Sequence, residues 1–248
     1  MEVAVLGLGE AGGRIAADLA AAGCAVRGWD PARRPDGITN ARSDLGAVRG
    51  ADVVLSLTTA AVALDAAARV VDALGRDTLY ADLNTASPQL KQELAEALPV
   101  RFADVALIGV VPSTGLATPA LASGGGAERF AELFRPLGMP VEVVGARAGD
   151  AAGLKLLRSV FMKGIAAAAI ESVEAARAAD AEDRVRAEIA AVIGEPLLER
   201  LLSGSRTHAA RRVDEMRAAA AYLEELGVEP RVAAAAAGWL EQLRDVER

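Results

Sequence analysis

A glycine-rich turn near the N-terminus constrains this chain more than any other feature. The apolar run VAVLGLG passes through EAGG into the helical pattern RIAADLAAAG, and a second apolar run ends at Asp30. Gly7 permits a tight turn, Gly9 lets backbone approach a phosphate, and Gly12 lets the helix lie close to the strand. This order of strand, turn, helix and strand predicts a dinucleotide-binding crossover, with the pyrophosphate at the helix N-terminus and Asp30 on the adenosine ribose.

The context of the glycines makes the pattern more specific than the motif alone. Asp30 follows Gly12 by 18 residues, close to the spacing of about 20 that the fingerprint expects. A tight turn that binds nothing is the alternative, and the flanking strand and helix patterns disfavour it. Arg33 and Arg34 follow Asp30 and could approach a 2′-phosphate, so the choice between NAD and NADP stays open.

Strand and helix patterns alternate through the first half of the chain. After a polar loop at residues 31–44, the strand-like runs ADVVLSLTT, DTLYADLN and VRFADVALIG are separated by two helical patterns. A short strand, a helix and a last strand follow, ending near Gly145. The alternation predicts an α/β fold whose N-terminal Rossmann domain, residues 1–148, has a doubly wound parallel sheet.

From residue 149 onward helical periodicity replaces the strand-like runs. Asp150 is the predicted N-cap of a helix of about 30 residues, longer than most globular helices. Shorter helices are predicted around residues 182–193, 195–203, 206–226 and 231–244. The second domain, residues 149–248, is therefore predicted to be all-helical. The small side chains in the middle of the long helix suit close packing, and we expect a homodimer through this domain.

The composition excludes several classes of function. The net charge is −7 without a basic block, and the chain has one cysteine and one histidine. These values disfavour a nucleic-acid surface, a disulfide framework, a zinc site and a Ser-His or Cys-His nucleophile. No apolar stretch reaches membrane-spanning length. We expect a cytoplasmic protein with no membrane or nucleic-acid partner and no bound metal.

Polar side chains follow the predicted strands, where ligands of open parallel sheets bind. Thr58, Asn84 and Thr85 are the expected contacts on the nicotinamide side, although turn and N-cap roles are the alternative. For Ser87 the N-cap role is favoured, because Pro88 suits the first position of a helix. The predicted cofactor-binding residues are Gly7, Gly9, Glu10, Ala11, Gly12, Asp30, Arg33, Thr58, Asn84 and Thr85.

Lys155 lies near the start of the long helix, in a chain with only three lysines and 24 arginines. The helix N-terminus and loss of water would both lower its pKa toward neutrality and favour a role as general base. Helical spacing places Arg158 and Ser159 on the same face, which would present a base, a cation and a hydroxyl to an anionic alcohol. A lysine that snorkels to solvent is the alternative.

A second group of polar residues lies on a later helix, in the run THAARRVDEM. His208, Arg211, Arg212 and Glu215 share one helical face by their spacing. The arginines could bind a carboxylate or phosphate of the substrate in bidentate fashion, with His208 as a donor. A solvated, salt-bridged face is the alternative.

Several of these motifs together resemble the β-hydroxyacid dehydrogenases, which include 3-hydroxyisobutyrate and 6-phosphogluconate dehydrogenases. The resembling segments are GLGEAGGRIAADLAAAG, NTASP, FADVALIG and GLKLLRS, and the C-terminal half is similar to a branch with a phosphogluconate-dehydrogenase-like helical domain. The resemblance implies that Lys155 is the catalytic lysine and that Thr85 contacts nicotinamide. Where the family has a Ser-Gly-Gly loop this chain has residues 108–110, and Arg158 and Ser159 replace two asparagines.

The resemblance implies an NAD(P)-dependent dehydrogenase acting on CH–OH. It would transfer hydride between nicotinamide and a small hydroxy acid, with Lys155 as general acid and base. Because Ser159 shares a helical face with Lys155, it could orient the alcohol oxygen. Arg158, His208, Arg211 and Arg212 would bind the anionic group of the substrate. An imine reductase and a non-catalytic dinucleotide-sensing protein are the alternatives.

Overall fold

The computed structural model describes residues 1–207 and 209–246, and the side chains among them except those of 204–211 and 244–246. The chain divides into two compact units, Met1–Lys155 and Leu156–Arg248. The elements of the first unit are β1 Glu2–Leu6, α1 Glu10–Ala21, β2 Ala25–Trp29, β3 Thr39–Asn40, α2 Asp44–Val48, β4 Val53–Ser56, α3 Ala63–Val70, β5 Leu79–Asp82, α4 Pro88–Ala97, β6 Arg101–Leu107, α5 Val111–Thr114, β7 Ala120–Ser123, α6 Ala127–Phe134 and β8 Val141–Gly145.

The eight strands form one sheet in the order β3-β2-β1-β4-β5-β6-β7-β8. The chain leaves β1 toward β2 on one side and returns to β4 on the other, so a topological switch point lies between β1 and β4. The predicted α/β class is confirmed. Two short elements, β3 and α2, begin within the predicted polar loop, since its polar composition gave no strand or helix signal.

One strand pair differs from the predicted parallel sheet. Strand β7 runs antiparallel to β6, with Asp104 opposite Ser123, whereas the other paired strands are parallel. Only residues 108–119 connect the two strands, and the helix within them, α5, has four residues. A parallel crossover usually runs through a full helix, which the four residues of α5 do not provide, so this segment turns the chain back beside β6.

Apolar side chains cover both faces of the sheet. Helices α1 and α6 pack on one face, where Ile15, Leu19 and Phe130 are buried. Helices α2, α3 and α4 pack on the other, where Val70 and Leu94 are buried. Because strands β4 and β5 are buried along their whole length, polar groups at their carboxyl ends are held on a rigid frame.

The long helix α7, Asp150–Ala178, confirms the predicted element of about 30 residues. Asp150 is its first residue rather than its N-cap, and its carboxylate forms an ion pair of 3.2 Å with Arg147. The helix is capped instead by Asp104 of β6, whose Oδ2 accepts from the amides of Gly149 at 3.1 Å and Ala152 at 3.0 Å. A side chain from a distant strand therefore satisfies the orphan donors of this helix.

The division into units falls within α7, after Lys155. The first turn of the helix is bonded to the sheet, because the Ala151 amide also donates to Ser123 Oγ at 3.0 Å. The predicted boundary at residues 148 and 149 corresponds to the start of this helix.

The second unit consists of the rest of α7 and the helices α8 Glu182–Ile193, α9 Glu195–Thr207, α10 Ala209–Glu225 and α11 Arg231–Val246. Its apolar core joins α7, α10 and α11 and includes Leu156, Met216 and Leu240. The regular elements among the described residues of this unit are helices, as predicted. In the described part of the chain, no helix combines the length and apolarity needed to cross a membrane.

Candidate functional site

At two positions, the glycine turn between β1 and α1 leaves no space for a side chain. Gly7 has a φ of +89°, and a Cβ there would lie 2.4 Å from the carbonyl oxygen of Leu57. A Cβ on Gly12 would lie 1.9 Å from the carbonyl oxygen of Gly7. The turn thus packs backbone against backbone at the switch point, which a larger residue would prevent.

The start of α1 fits a dinucleotide pyrophosphate. Gly9 is the N-cap and provides no side-chain acceptor, and the first amide bonded within the helix is that of Gly13, which donates to Gly9 O at 2.8 Å. The preceding amides of Glu10 and Ala11 belong to the positively polarised end of the helix. A Cβ on Gly9 would meet no atom within 4 Å, so the approach to these amides is open.

Asp30 lies beside this turn and is tied to it. Its Oδ2 accepts from the Leu8 amide at 2.9 Å, and its Oδ1 accepts from the amides of Ala32 at 2.8 Å and Arg33 at 3.0 Å. Burial alone raises the pKa of this carboxyl, but the three backbone donors outweigh it and the pKa is lowered. A carboxylate offers about four acceptor positions, so about one is left for a ribose hydroxyl.

Two arginines follow Asp30 with exposed side chains. The guanidinium of Arg34 folds back on the loop and donates to the carbonyl oxygen of Arg33 at 2.7 Å and to that of Asp30. Arg33 contributes its backbone amide to Asp30.

The predicted nicotinamide-side residues meet at the carboxyl ends of β4 and β5. The buried Nδ2 of Asn84 lies 2.6 Å from Asp82 Oδ2, 3.1 Å from Ser56 Oγ and 3.3 Å from Thr58 Oγ1. Ser87 caps α4, as predicted, by accepting from the Leu90 amide at 3.2 Å. The NTASP segment therefore combines helix capping with an amide-hydroxyl cluster.

Lys155 and Thr85 are hydrogen-bonded to each other, although 70 residues separate them in the chain. The Lys155 Nζ donates to Thr85 Oγ1 at 2.8 Å, and both side chains are half-buried. Thr85 directly follows Asn84 on the turn after β5, so the lysine amine lies at the same edge of the sheet as the amide-hydroxyl cluster.

Ser159 belongs to a buried polar cluster of the second unit. Ser159 is only 2% exposed, and its hydroxyl donates to the carboxylate of Glu215. Lys163 Nζ lies 2.8 Å from Glu215 Oε1 and 3.3 Å from Ser159 Oγ. These three groups join α7 to α10.

The predicted substrate-binding cations are placed only in part. Arg158 is exposed on α7, and Arg212 is half-buried on α10. The proposed face of His208 and Arg211 lies outside the side chains that the structure describes.

A buried charge triad, Asp82, Lys91 and Asp104, was missed by the sequence interpretation. Lys91 of α4 is 1% exposed, and its Nζ lies 2.5 Å from Asp82 Oδ1 and 3.2 Å from Asp104 Oδ1. Burial lowers the pKa of Lys91, but the two carboxylates outweigh it and the pKa is raised. A signal existed in the sequence, because each aspartate interrupts an apolar strand and the lysine lies on the apolar face of α4.

Comparison with known proteins extends this description to the family. Residues 2–145 match the model of the NAD binding domain of 6-phosphogluconate dehydrogenase, which is more than half of the 248 residues. The chain belongs to the β-hydroxyacid dehydrogenase family. Residues 176–243 match a second model, a domain of unknown function called DUF1932.

Solved structures similar to this chain cover nearly its whole length. A conserved hypothetical protein from Sinorhizobium meliloti is 29% identical, with a TM-score of 0.76 over 97% of this chain and 88% of that one. The 3-hydroxyisobutyrate dehydrogenase of Mycobacterium tuberculosis, solved with L-serine, has a TM-score of 0.80 at 22% identity over 97% and 92% of the two chains. The latter similarity concerns the fold.

A sequence relative comes from Methanothermus fervidus. This uncharacterized 28.5 kDa protein is 28% identical over 173 residues, which span 68% of the present chain and 66% of the relative. The matched part of the relative is thus about two thirds of its length.

Membership of the β-hydroxyacid dehydrogenase family makes NAD(P) the cofactor, which the open glycine turn fits. The chain carries the NAD(P)-binding domain of this family. Its segment after β6, in place of the family's Ser-Gly-Gly loop, is fixed against α1. Arg14 donates to Pro112 O at 3.0 Å, and Asp18 accepts from the Leu116 amide at 2.8 Å.

Proposed function

We propose that this β-hydroxyacid dehydrogenase interconverts a small anionic hydroxy acid and its keto form, with Lys155 as the acid-base residue. The observation that carries the proposal is the 2.8 Å hydrogen bond from Lys155 Nζ to Thr85 Oγ1, at the carboxyl edge of the sheet. Ligands of open α/β sheets bind at this edge, near the switch point.

The cofactor-binding residues have separate tasks in this proposal. The glycine turn and the amides of Glu10 and Ala11 hold the diphosphate, and Asp30 accepts from the ribose. Thr58, Asn84 and Thr85 line the nicotinamide side. NAD(P), when bound, supplies the hydride acceptor or donor.

Lys155 moves the proton of the substrate hydroxyl. In the oxidation direction its neutral amine accepts that proton, and in the reduction direction its ammonium returns it to the carbonyl oxygen. A neutral amine has two N–H groups and one lone pair. Because Thr85 accepts one N–H group, it restricts rotation of the amine and orients the lone pair.

The acidic group of the substrate requires cations. Arg158, three residues after Lys155, is the first candidate, and Arg212 with His208 and Arg211 forms the second. The Ser159 hydroxyl is donated to Glu215, and we therefore assign Ser159 to the packing of α7 on α10 rather than to the substrate oxygen.

The test measures NAD(P)H formation with 3-hydroxyisobutyrate, L-serine and other small hydroxy acids, using NAD and NADP in parallel. We expect Lys155→Met to lower kcat by about 10²–10⁴ while NADH binding is retained, because positioned acid-base groups contribute about that factor. The control is Arg147→Met, which removes an exposed cation near the start of the same helix and should keep the parent rate.

Each other outcome rejects the proposal in a defined way. Undiminished turnover in Lys155→Met would exclude the acid-base role of the lysine. Reduction of cyclic imines without oxidation of any hydroxy acid would assign the chain to imine reduction. Cofactor binding without turnover of either class would favour a dinucleotide sensor.

A further inference from the structure

The buried charge triad joins three elements that surround the candidate site. Asp82 ends β5 and Asp104 lies in β6, and the two are paired neighbours in the parallel register. Both side chains are fully buried, and Lys91 reaches them from α4. Two buried carboxylates side by side repel each other strongly, so the ammonium of Lys91 determines how closely they stand.

Within the triad, Asp82 contacts the turn that carries Thr85. The carboxylate of Asp82 accepts from Asn84 Nδ2 at 2.6 Å and lies 3.3 Å from the Asn84 amide nitrogen. Lys91 Nζ also donates to the Asp82 carbonyl oxygen at 2.8 Å. The backbone just before Thr85 is therefore held by both the side chain and the main chain of Asp82.

Asp104 contacts the helix that carries Lys155. Asp104 Oδ2 accepts from the amides of Gly149 and Ala152, which lie within two helical turns before the lysine. Helix α4 also touches this point, since a Cβ on Gly149 would lie 2.7 Å from the carbonyl oxygen of Pro88. Asp104 thus fixes where α7 begins.

We propose that Lys91 is a positioning residue that sets the distance between Thr85 and Lys155. It does so through Asp82 on the Thr85 side and through Asp104 on the Lys155 side. The effect of this distance on catalysis rests on the acid-base function proposed for Lys155. Lys91 itself is 1% exposed, so we assign it a positioning role rather than direct contact with substrate or cofactor.

The first experiment measures, without any substrate, how strongly Lys91 stabilises the start of α7. Amide hydrogen exchange of the full chain, resolved by residue with NMR, compares Lys91→Met with Thr78→Val. Thr78 is the matched control, because its buried hydroxyl donates to Ala51 O at 2.9 Å at the opposite end of β5. We expect the Gly149 and Ala152 amides to exchange roughly tenfold faster in Lys91→Met than in Thr78→Val. Equal rates in the two variants would overturn the proposal.

The second experiment separates positioning from stability. Lys91→Met leaves two uncompensated carboxylates, and Lys91→Met/Asp82→Asn removes that repulsion and should recover much of the lost Tm. With 3-hydroxyisobutyrate or L-serine, whichever the parent oxidises faster, we expect kcat of the double variant to stay at least roughly tenfold low. Its KM for the cofactor should change little. Recovery of kcat together with Tm would show a structural role only.

The two proposals fail in distinguishable ways. If the parent oxidises no hydroxy acid, the proposed function fails, while amide exchange still decides whether Lys91 fixes the start of α7. If the parent is active and the exchange rates of Gly149 and Ala152 match the control, the positioning role fails alone.

Discussion

At the scale of single residues, Asp30, the proposed ribose acceptor, makes the stability of the fold depend on pH. Three backbone amides donate to its carboxylate, and its pKa in the folded chain is lowered. A group with a lowered folded pKa stabilises the fold above its unfolded pKa, and that contribution is lost as pH falls through the folded value.

The corresponding prediction concerns Asp30→Ala. At neutral pH we expect the free energy of unfolding to fall by about 1–3 kcal/mol, the usual contribution of hydrogen bonds to a charged group. The deficit should shrink as pH falls below 3.8, the ordinary pKa of an aspartate side chain, because the parent then also loses its carboxylate charge. Urea unfolding at several pH values measures it, with Asp36→Ala, an exposed acid of the same loop, as control. A deficit that persists undiminished in acid would contradict the assignment.

Two glycines of the turn should separate folding from cofactor binding. Gly12→Ala forces a Cβ against the Gly7 carbonyl, so we expect both Tm and NADH affinity to fall. Gly9→Ala meets open space, so Tm should be kept while the dissociation constant of NADH rises roughly tenfold, because the methyl group occupies the path of the diphosphate. Thermal unfolding and fluorescence titration measure the two quantities. Unchanged affinity in Gly9→Ala would place the diphosphate elsewhere.

At the scale of elements, the buried triad makes α4 part of the frame of the site. Lys91 has a raised pKa in the folded chain, and a raised lysine stabilises the fold below its unfolded pKa. That contribution is lost only as pH rises through the folded value.

We therefore predict that Lys91→Met lowers the free energy of unfolding by about 3–5 kcal/mol, as expected when one partner of a buried ion pair is removed. The deficit should be constant through neutral and mildly alkaline pH and should narrow only above 10.5, the ordinary pKa of a lysine side chain. Denaturant unfolding at increasing pH tests this. A deficit that disappears near neutral pH would show that Lys91 is uncharged in the folded chain.

Local patterns in the sequence predicted most of these elements, but they did not predict the contacts between residues that are distant in the chain. The first crossover was predictable because Gly7, Gly9 and Gly12 carry backbone requirements in their spacing. The direction of β7 was not, because its short connection carries no sign of orientation. The capping of α7 by Asp104 was also hidden, since these partners lie 45 and 48 residues apart. Asp150, the local candidate for the cap, pairs with Arg147 instead.

At the scale of the whole molecule, exposed apolar residues on α7 support the predicted homodimer. Leu154, Leu157 and Phe161 are 46%, 38% and 66% exposed and recur at helical spacing. Large apolar side chains on one exposed face commonly mark a surface that another molecule covers.

The prediction is that Phe161→Glu weakens self-association by roughly tenfold or more, because a charge replaces a buried aromatic contact at the interface. Light scattering and sedimentation of the parent and the variant measure the assembly. Val192→Glu is the control, since Val192 is 84% exposed on a different helix. A parent chain that is already monomeric would reject the dimer.

The capping of α7 by Asp104 also bears on where the chain can be cut. Truncation after residue 148 would remove the amides of Gly149 and Ala152 and leave Asp104 Oδ2 with Ser123 as its remaining described donor. Truncation after Lys155 would keep the cap and the bond to Thr85. The opening turns of the helix are thus inseparable from the nucleotide-binding half in any attempt to express that half alone.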